Sequence, residues 1–131
     1  MVMRRLLVTG LAGALAGACA SPAAVPATPA AVPLSAGLEG AVQAARADAA
    51  RRTGVTVESL VLVSAEPVTW SDGSLGCPQP GVMYTQALVP GYRVRLRGPA
   101  GEMDYHASAR GSLLLCPAGR AVDPAPGAAR N

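Results

Sequence analysis

The chain has 131 residues, room for one small domain once its ends are set aside. It holds no Lys, Phe or Ile, every basic residue is Arg, and Ala, Gly, Pro and Arg dominate, a bias of the kind a GC-rich genome imposes. The formal charge of +3 overstates the domain's basicity, because from Cys19 onward 9 Arg face 8 acidic residues. That weak balance gives no case for nucleic-acid binding, which normally needs a concentrated basic face, so no nucleic-acid partner is expected.

The first 18 residues read as a signal peptide. Met1, Arg4 and Arg5 belong to a basic n-region, residues 6–16 are apolar, and small residues lead to Cys19. As a helix this apolar run spans under about 20 Å, too short for a bilayer core of about 30 Å. Leu15-Ala16-Gly17-Ala18-Cys19 resembles a lipobox, the site at which a bacterial lipoprotein signal is cut just before a lipid-modified Cys. Ala16 stands where Leu is commoner, and an ordinary Ala-x-Ala site, cut after Ala18 or Ala20, is the competing reading. Lipid at Cys19 implies an exported, membrane-anchored protein facing the periplasm or the cell exterior; the ordinary site implies a soluble secreted or periplasmic one. Cysteine arithmetic favours lipidation, since it leaves Cys77 and Cys116 as an even set in an oxidising compartment.

Residues 19–34 form an uncharged Ala/Pro stretch with Pro22, Pro26, Pro29 and Pro33. Such a segment favours extended conformations and reads as a tether. Residues 118–131 mirror it with Pro124 and Pro126, and are expected to be disordered. A small domain is expected between them, over residues 35–117.

Ser35 can cap a helix running to about Thr53, with Leu38, Val42, Ala45 and Ala49 at helical spacing. Arg51 and Arg52 suit its last turn and Gly54 its stop. A strand is expected from Leu60 to Trp70, interrupted at Pro67, followed by a turn at Ser71-Asp72-Gly73-Ser74. Residues 82–89 give a second strand, closed by Pro90-Gly91. Tyr92-Arg93-Val94-Arg95-Leu96-Arg97 alternates apolar and basic residues, the pattern of a half-buried antiparallel strand. Turns at residues 98–101 and 109–111 separate two more, at 102–106 and 112–116. The expected fold is α+β: one N-terminal helix packed on an antiparallel four- or five-stranded meander.

Cys77 and Cys116 lie 39 residues apart. A disulfide between them would stabilise the domain by about 4 kcal/mol in the chain-entropy account, a large share for a core this small. The stretch Leu75-Gly76-Cys77-Pro78-Gln79-Pro80-Gly81 is stiffened by its prolines, and reads either as a stapled connection or as a pre-organised binding loop.

Trp70-Ser71-Asp72-Gly73-Ser74-Leu75-Gly76-Cys77-Pro78, then Tyr84, Pro90-Gly91-Tyr92, Tyr105-His106 and Cys116, resemble a small domain of uncharacterised exported bacterial proteins and lipoproteins. The resemblance covers about residues 36–117 and implies no catalytic or binding residues, because that family has no established activity. Gln86-Ala87-Leu88-Val89-Pro90-Gly91 is also similar to the Gln-x-Val-x-Gly hairpin of cystatins, with one residue too many and Pro90 inside it. It supports the fold comparison more than an inhibitory activity.

His106 is the only histidine. Zinc generally wants three or four convergent ligands, and Asp104 on the same strand face does not complete a set, so no metal or other cofactor is expected. The plainer reading of His106 is a half-exposed side chain bonded to a neighbouring loop. With the thiols oxidised and Asn131, the only Asn, in the tail, a Cys-His-Asn arrangement has no third member. Enzyme is therefore the least favoured class. Arg93, Arg95 and Arg97 read as a solvated face or as a stripe for anionic headgroups. The expectation is a non-enzymatic, envelope-associated binding module, attached to a membrane through Cys19 and open to an unidentified protein or envelope partner. Its candidate surface is Trp70, Asp72, Leu75, Tyr84, Tyr92 and His106. The alternative is a secreted protease inhibitor presenting the 75–81 loop or the 89–91 hairpin.

Overall fold

The computed structural model describes residues 35–127; the leader, Cys19 and the 19–34 tether lie outside them, as do residues 128–131. Helix α1 (Ala36–Thr53) begins where Ser35 accepts a bond from the Leu38 amide at 3.4 Å. It ends where Gly54 turns into the left-handed region at φ 72° and donates to the Ala50 carbonyl. Its buried stripe is Leu38, Val42, Ala45 and Ala49, as the periodicity predicts. A single 3₁₀ turn (Val57–Ser59) leads to four strands: β1 (Val61–Trp70), β2 (Val89–Gly98), β3 (Gly101–Ser108) and β4 (Leu113–Cys116). They pair antiparallel in the order β1-β2-β3-β4, a plain meander. The α+β expectation holds, with four strands rather than five.

Register assigns every side chain to a face. Leu62 and Leu96, Ala65 and Val94, and Val94 and Tyr105 are opposed partners, and together with Val42, Ala45, Ala49 and Leu60 they fill the space under α1. A helix this rich in Ala brings little apolar area itself, so the larger sheet residues supply most of the burial on this side. Tyr105 crosses the layer to donate its hydroxyl to Asp48 at 3.0 Å. Pro67 sits inside β1 instead of breaking it, because β1 pairs only with β2 and is an edge strand.

The face away from α1 is also packed. Val68, Trp70 and Leu75 form a second core there, with Val89 and Leu114 against it. The long β1–β2 connection covers this side.

Two expectations are corrected. Residues 82–88 are not a strand. β1 stops at Trp70, whose register partner is already Val89, so nothing lies beside residues 82–88 for them to pair with. They bond within their own loop instead: Gly73 donates to the Thr85 carbonyl and Val82 to the Gln79 carbonyl. Residues 118–127 are not a loose tail either. The Val122 amide donates to the Gly76 carbonyl at 2.8 Å and the Ala125 amide to the Thr69 carbonyl at 2.8 Å, while Asp123 pairs with Arg93. The segment is held because β1, an edge strand, leaves backbone acceptors such as Thr69 free to be bonded.

Candidate functional site

The sequence motif builds a clasp on the face away from the helix. Cys77 and Cys116 form a disulfide with Cα atoms 5.7 Å apart, fastening the β1–β2 connection to the end of β4. Just before it, Leu75 and Gly76 both take positive φ, 54° and 69°. That aims the Leu75 carbonyl inward, where it meets Nδ1 of His106 at 2.6 Å. A carbonyl accepts only, so Nδ1 carries the proton. The imidazole stacks on Trp70 with ring centroids 4.4 Å apart, and the indole N–H donates to the Ala107 carbonyl at 2.9 Å. Glycine is required at two points of this packing. A Cβ on Gly76 would press on the Trp70 ring and the Val122 carbonyl, and one on Gly91 would strike the Ala107 carbonyl.

Beside the clasp lies a charged cluster. Arg93 is buried and donates to both oxygens of Asp104 and, at 3.1 Å, to Asp123. Nε2 of His106 is 3.3 Å from Asp104 without an aligned hydrogen bond. Burial by itself would raise the Asp104 carboxyl; the imidazole of His106 and the guanidinium of Arg93 outweigh it and hold the group well below the usual carboxylate range. Hydrogen bonding to Asp104 raises Arg93 in turn, against the opposing effect of burial.

These positions redraw the expected surface. Trp70 and His106 are fully buried and Leu75 is 6% exposed, so none of the three can meet a partner in this conformation. His106 does bond to a neighbouring loop, but from the interior rather than half-exposed. Tyr92 points to the opposite face, with its hydroxyl against Gly37 of α1. Asp72 is spent locally, accepting from the Ser74 amide at 2.8 Å. Tyr84 remains in the loop, where its hydroxyl accepts from the Gln79 amide at 3.1 Å. The 89–91 hairpin is likewise absent, since Val89, Pro90 and Gly91 pair in β2 with Trp70, Thr69 and Val68. The arginine stripe is broken too: Arg93 is consumed by two carboxylates and Arg97 lies 3.5 Å from Glu102.

What the clasp leaves outside is the arc of residues 78–88. Met83 is 94% exposed, Leu88 67% and Val82 49%, an unusual concentration of large apolar side chains on one loop. Neither the motif nor the periodicity singles them out. The available signal is charge: no ionisable Asp, Glu, Arg, Lys or His occurs from Gly73 to Tyr92. A second feature, a cleft of about 200 Å³ between the first half of α1 and the sheet, is lined by Gly37, Gly40, Ala41, Ala44, Tyr92 and Leu113. It offers no cluster of convergent acids and bases. Among the described residues no group of three or more His, Cys, Asp or Glu is placed to hold a metal. No described helix is long and apolar enough to cross a membrane.

No curated protein and no solved structure matches the chain. A family described as a domain of unknown function, DUF8738, matches residues 42–116, from the middle of α1 to the second cysteine of the disulfide. The match covers more than half of the sequence and takes in the clasp, the exposed loop and the charged cluster apart from Asp123, and the chain therefore belongs to the DUF8738 family.

Proposed function

We propose that this protein is a non-enzymatic binding module of the bacterial envelope, exported by its leader, held at a membrane by lipid on Cys19 and making contact through the loop of residues 78–88. The observation that carries this reading is the loop itself. Its base is fixed by the Cys77–Cys116 disulfide and by the Tyr84–Gln79 and Gly73–Thr85 bonds, while Val82, Met83 and Leu88 stay exposed. Holding apolar side chains in water has no benefit to folding; a loop fixed in advance loses less entropy when it docks. The lipobox-like run ending at Cys19 and the uncharged Ala/Pro stretch behind it support the envelope setting, since an acylated N-terminus needs a spacer before a folded domain.

Two measurements on the native protein test this. Mass spectrometry should find a lipid-modified Cys19 as the mature N-terminus. A photo-crosslinking residue at position 83 should capture an envelope component that the same residue at Glu58, exposed in the turn before β1, does not. An unmodified Cys19 with equal labelling from both positions would sink the reading. A convex loop with fixed ends also suits a protease inhibitor, which would use residues 78–88 rather than the buried Leu75 or the paired 89–91 segment. Inhibition of a cysteine or serine protease at micromolar concentration, abolished by Met83→Asp, would favour that alternative.

A further inference from the structure

We infer that the partner of the 78–88 loop is the bilayer itself: the loop is a shallow membrane-contacting element that seats the domain on the lipid surface. The inference rests on the envelope reading above and names what the loop touches there. Three observations point to lipid. The first is where the chain enters the domain. Gly37, in the first turn of α1, lies against the Tyr92 hydroxyl near the start of β2, four residues after Leu88. At the other end of the domain, Leu60 lies against Gly98, where β2 finishes. Ser35, through which the tether must arrive, is therefore at the end of the sheet where the β1–β2 connection leaves Trp70 and re-enters at Val89, although Cys77 and Pro78–Pro80 in its middle fold back beside Cys116 and Pro117–Arg120.

The second observation is composition. Over Gly73 to Tyr92 the chain carries no charge, in a protein whose charged residues make up 15% of the sequence. Protein-binding loops usually set apolar anchors in a polar rim enriched in Arg. Here Val82, Met83 and Leu88 have only Gln79, Tyr84, Thr85 and Gln86 around them in the loop, the uncharged and amphipathic company that suits a bilayer interface. The third is the distribution of charge outside the loop. Exposed Arg51, Arg52, Glu58, Arg97 and Glu102 gather at the far end, whereas around the loop Glu39 and Asp72 are balanced by Arg110 and by exposed Arg120, which lies beside Pro78–Pro80. No repulsion from a neutral bilayer, and no strong preference for an anionic one, follows from that balance. Three apolar side chains alone bind a membrane weakly, but a lipid on the same chain would hold them at high effective concentration.

The test uses residues 19–131 carrying Cys19→Ser, so that no lipid contributes, with sedimentation on vesicles of neutral phosphatidylcholine and of phosphatidylcholine with a quarter phosphatidylglycerol. The protein should partition to both, within about threefold of one another and with little dependence on salt. Met83→Asp/Leu88→Asp should weaken partitioning by about tenfold or more, charge being costly in the interface, while the near-ultraviolet signal of buried Trp70 shows that the fold is kept. In the parent protein, neutral vesicles should slow peroxide oxidation of Met83 relative to Met103. Absence of binding to either vesicle would overturn the inference, as would binding confined to anionic vesicles and lost in salt, or binding unchanged in the double variant. If vesicles fail while position 83 crosslinks to a protein in native envelopes, the lipid inference falls and the binding-module reading stands.

Discussion

The His106 imidazole lies nearly parallel to the Trp70 indole, tilted 20° with centroids 4.4 Å apart, and both rings are fully buried between β1, β3 and the turn at Leu75. The only histidine of the chain thus serves as a structural tie. It fills space against Trp70 and donates to the Leu75 carbonyl, which otherwise would point into the core unpaired. His106→Ala should cost about 3 kcal/mol through the void and the lost bond together. His106→Asn, which retains a donor but has no ring to stack on Trp70, should recover part of that loss. Urea unfolding of the three proteins gives the comparison, and equal stability of His106→Ala and the parent would show that the tie contributes nothing.

The disulfide sets a second expectation. Cys77–Cys116 closes a 39-residue separation, and removing it as Cys77→Ser/Cys116→Ser should destabilise the domain by about 4 kcal/mol in the chain-entropy account. The loop should suffer first, because the disulfide holds its base. Limited proteolysis should therefore cut within residues 78–88 in the double variant long before it cuts β2 or β3. Two free thiols in the native, unreduced protein, read by a mass unchanged on reduction, would contradict the structure directly.

Two ionisable groups shape the pH dependence from opposite ends. Asp104 has its folded pKa depressed, so its contribution is complete above the unfolded carboxylate range near 4 and fades as pH falls below it. Tyr105 has its folded pKa pushed up to about 12, chiefly by burial and then by Asp48. Its contribution is complete below the ordinary value of 10.0 and is lost as pH rises toward 12. Unfolding free energy should accordingly fall below pH 4 and again above pH 10. Tyr105→Phe should flatten the alkaline limb, and Asp104→Asn should make the acid one shallower at a lower plateau, since it leaves Arg93 buried with a weaker partner while Asp48, held low chiefly by its bond from Arg52, still titrates there. Denaturation midpoints at six or seven pH values would decide this.

Much of this architecture was legible in the residues, and the exceptions share a cause. Ser35, the Leu38–Ala49 stripe and Gly54 announce α1 because caps and periodicity are local signals. The alternation through Tyr92 and Arg97 announces β2 for the same reason, and the even cysteine pair announces the staple. What local pattern does not carry is the second face of the sheet. Trp70, Leu75 and His106 look like a recognition surface when read as a motif, and only the registers of β1 on β2 and β2 on β3, with the turn at Leu75 folded over them, show them packed inward. Residues 82–88 look like a strand because they are apolar, yet the end of β1 at Trp70 leaves them no partner. Arg93 reads as one of three solvated arginines until Asp123, thirty residues on, returns to meet it.

That returning segment supplies the last prediction. Asp123 reaches a buried guanidinium, but its own side chain is 92% exposed, so the ion pair is screened and should add under about 1 kcal/mol. Its effect should be local. The Val122 and Ala125 amides bond to Gly76 and Thr69 only while residues 118–127 stay on the sheet, and the Arg93–Asp123 pair lies between those two bonds. Asp123→Ala should leave the denaturation midpoint nearly unchanged while speeding amide exchange at Val122 and Ala125 by about threefold to tenfold, as expected for local opening. Exchange at Val94 and Tyr105, in the core strands, should stay as slow as in the parent. If instead all four amides accelerated together, the segment would be part of the cooperative fold, and the ion pair would be worth far more than its exposure implies.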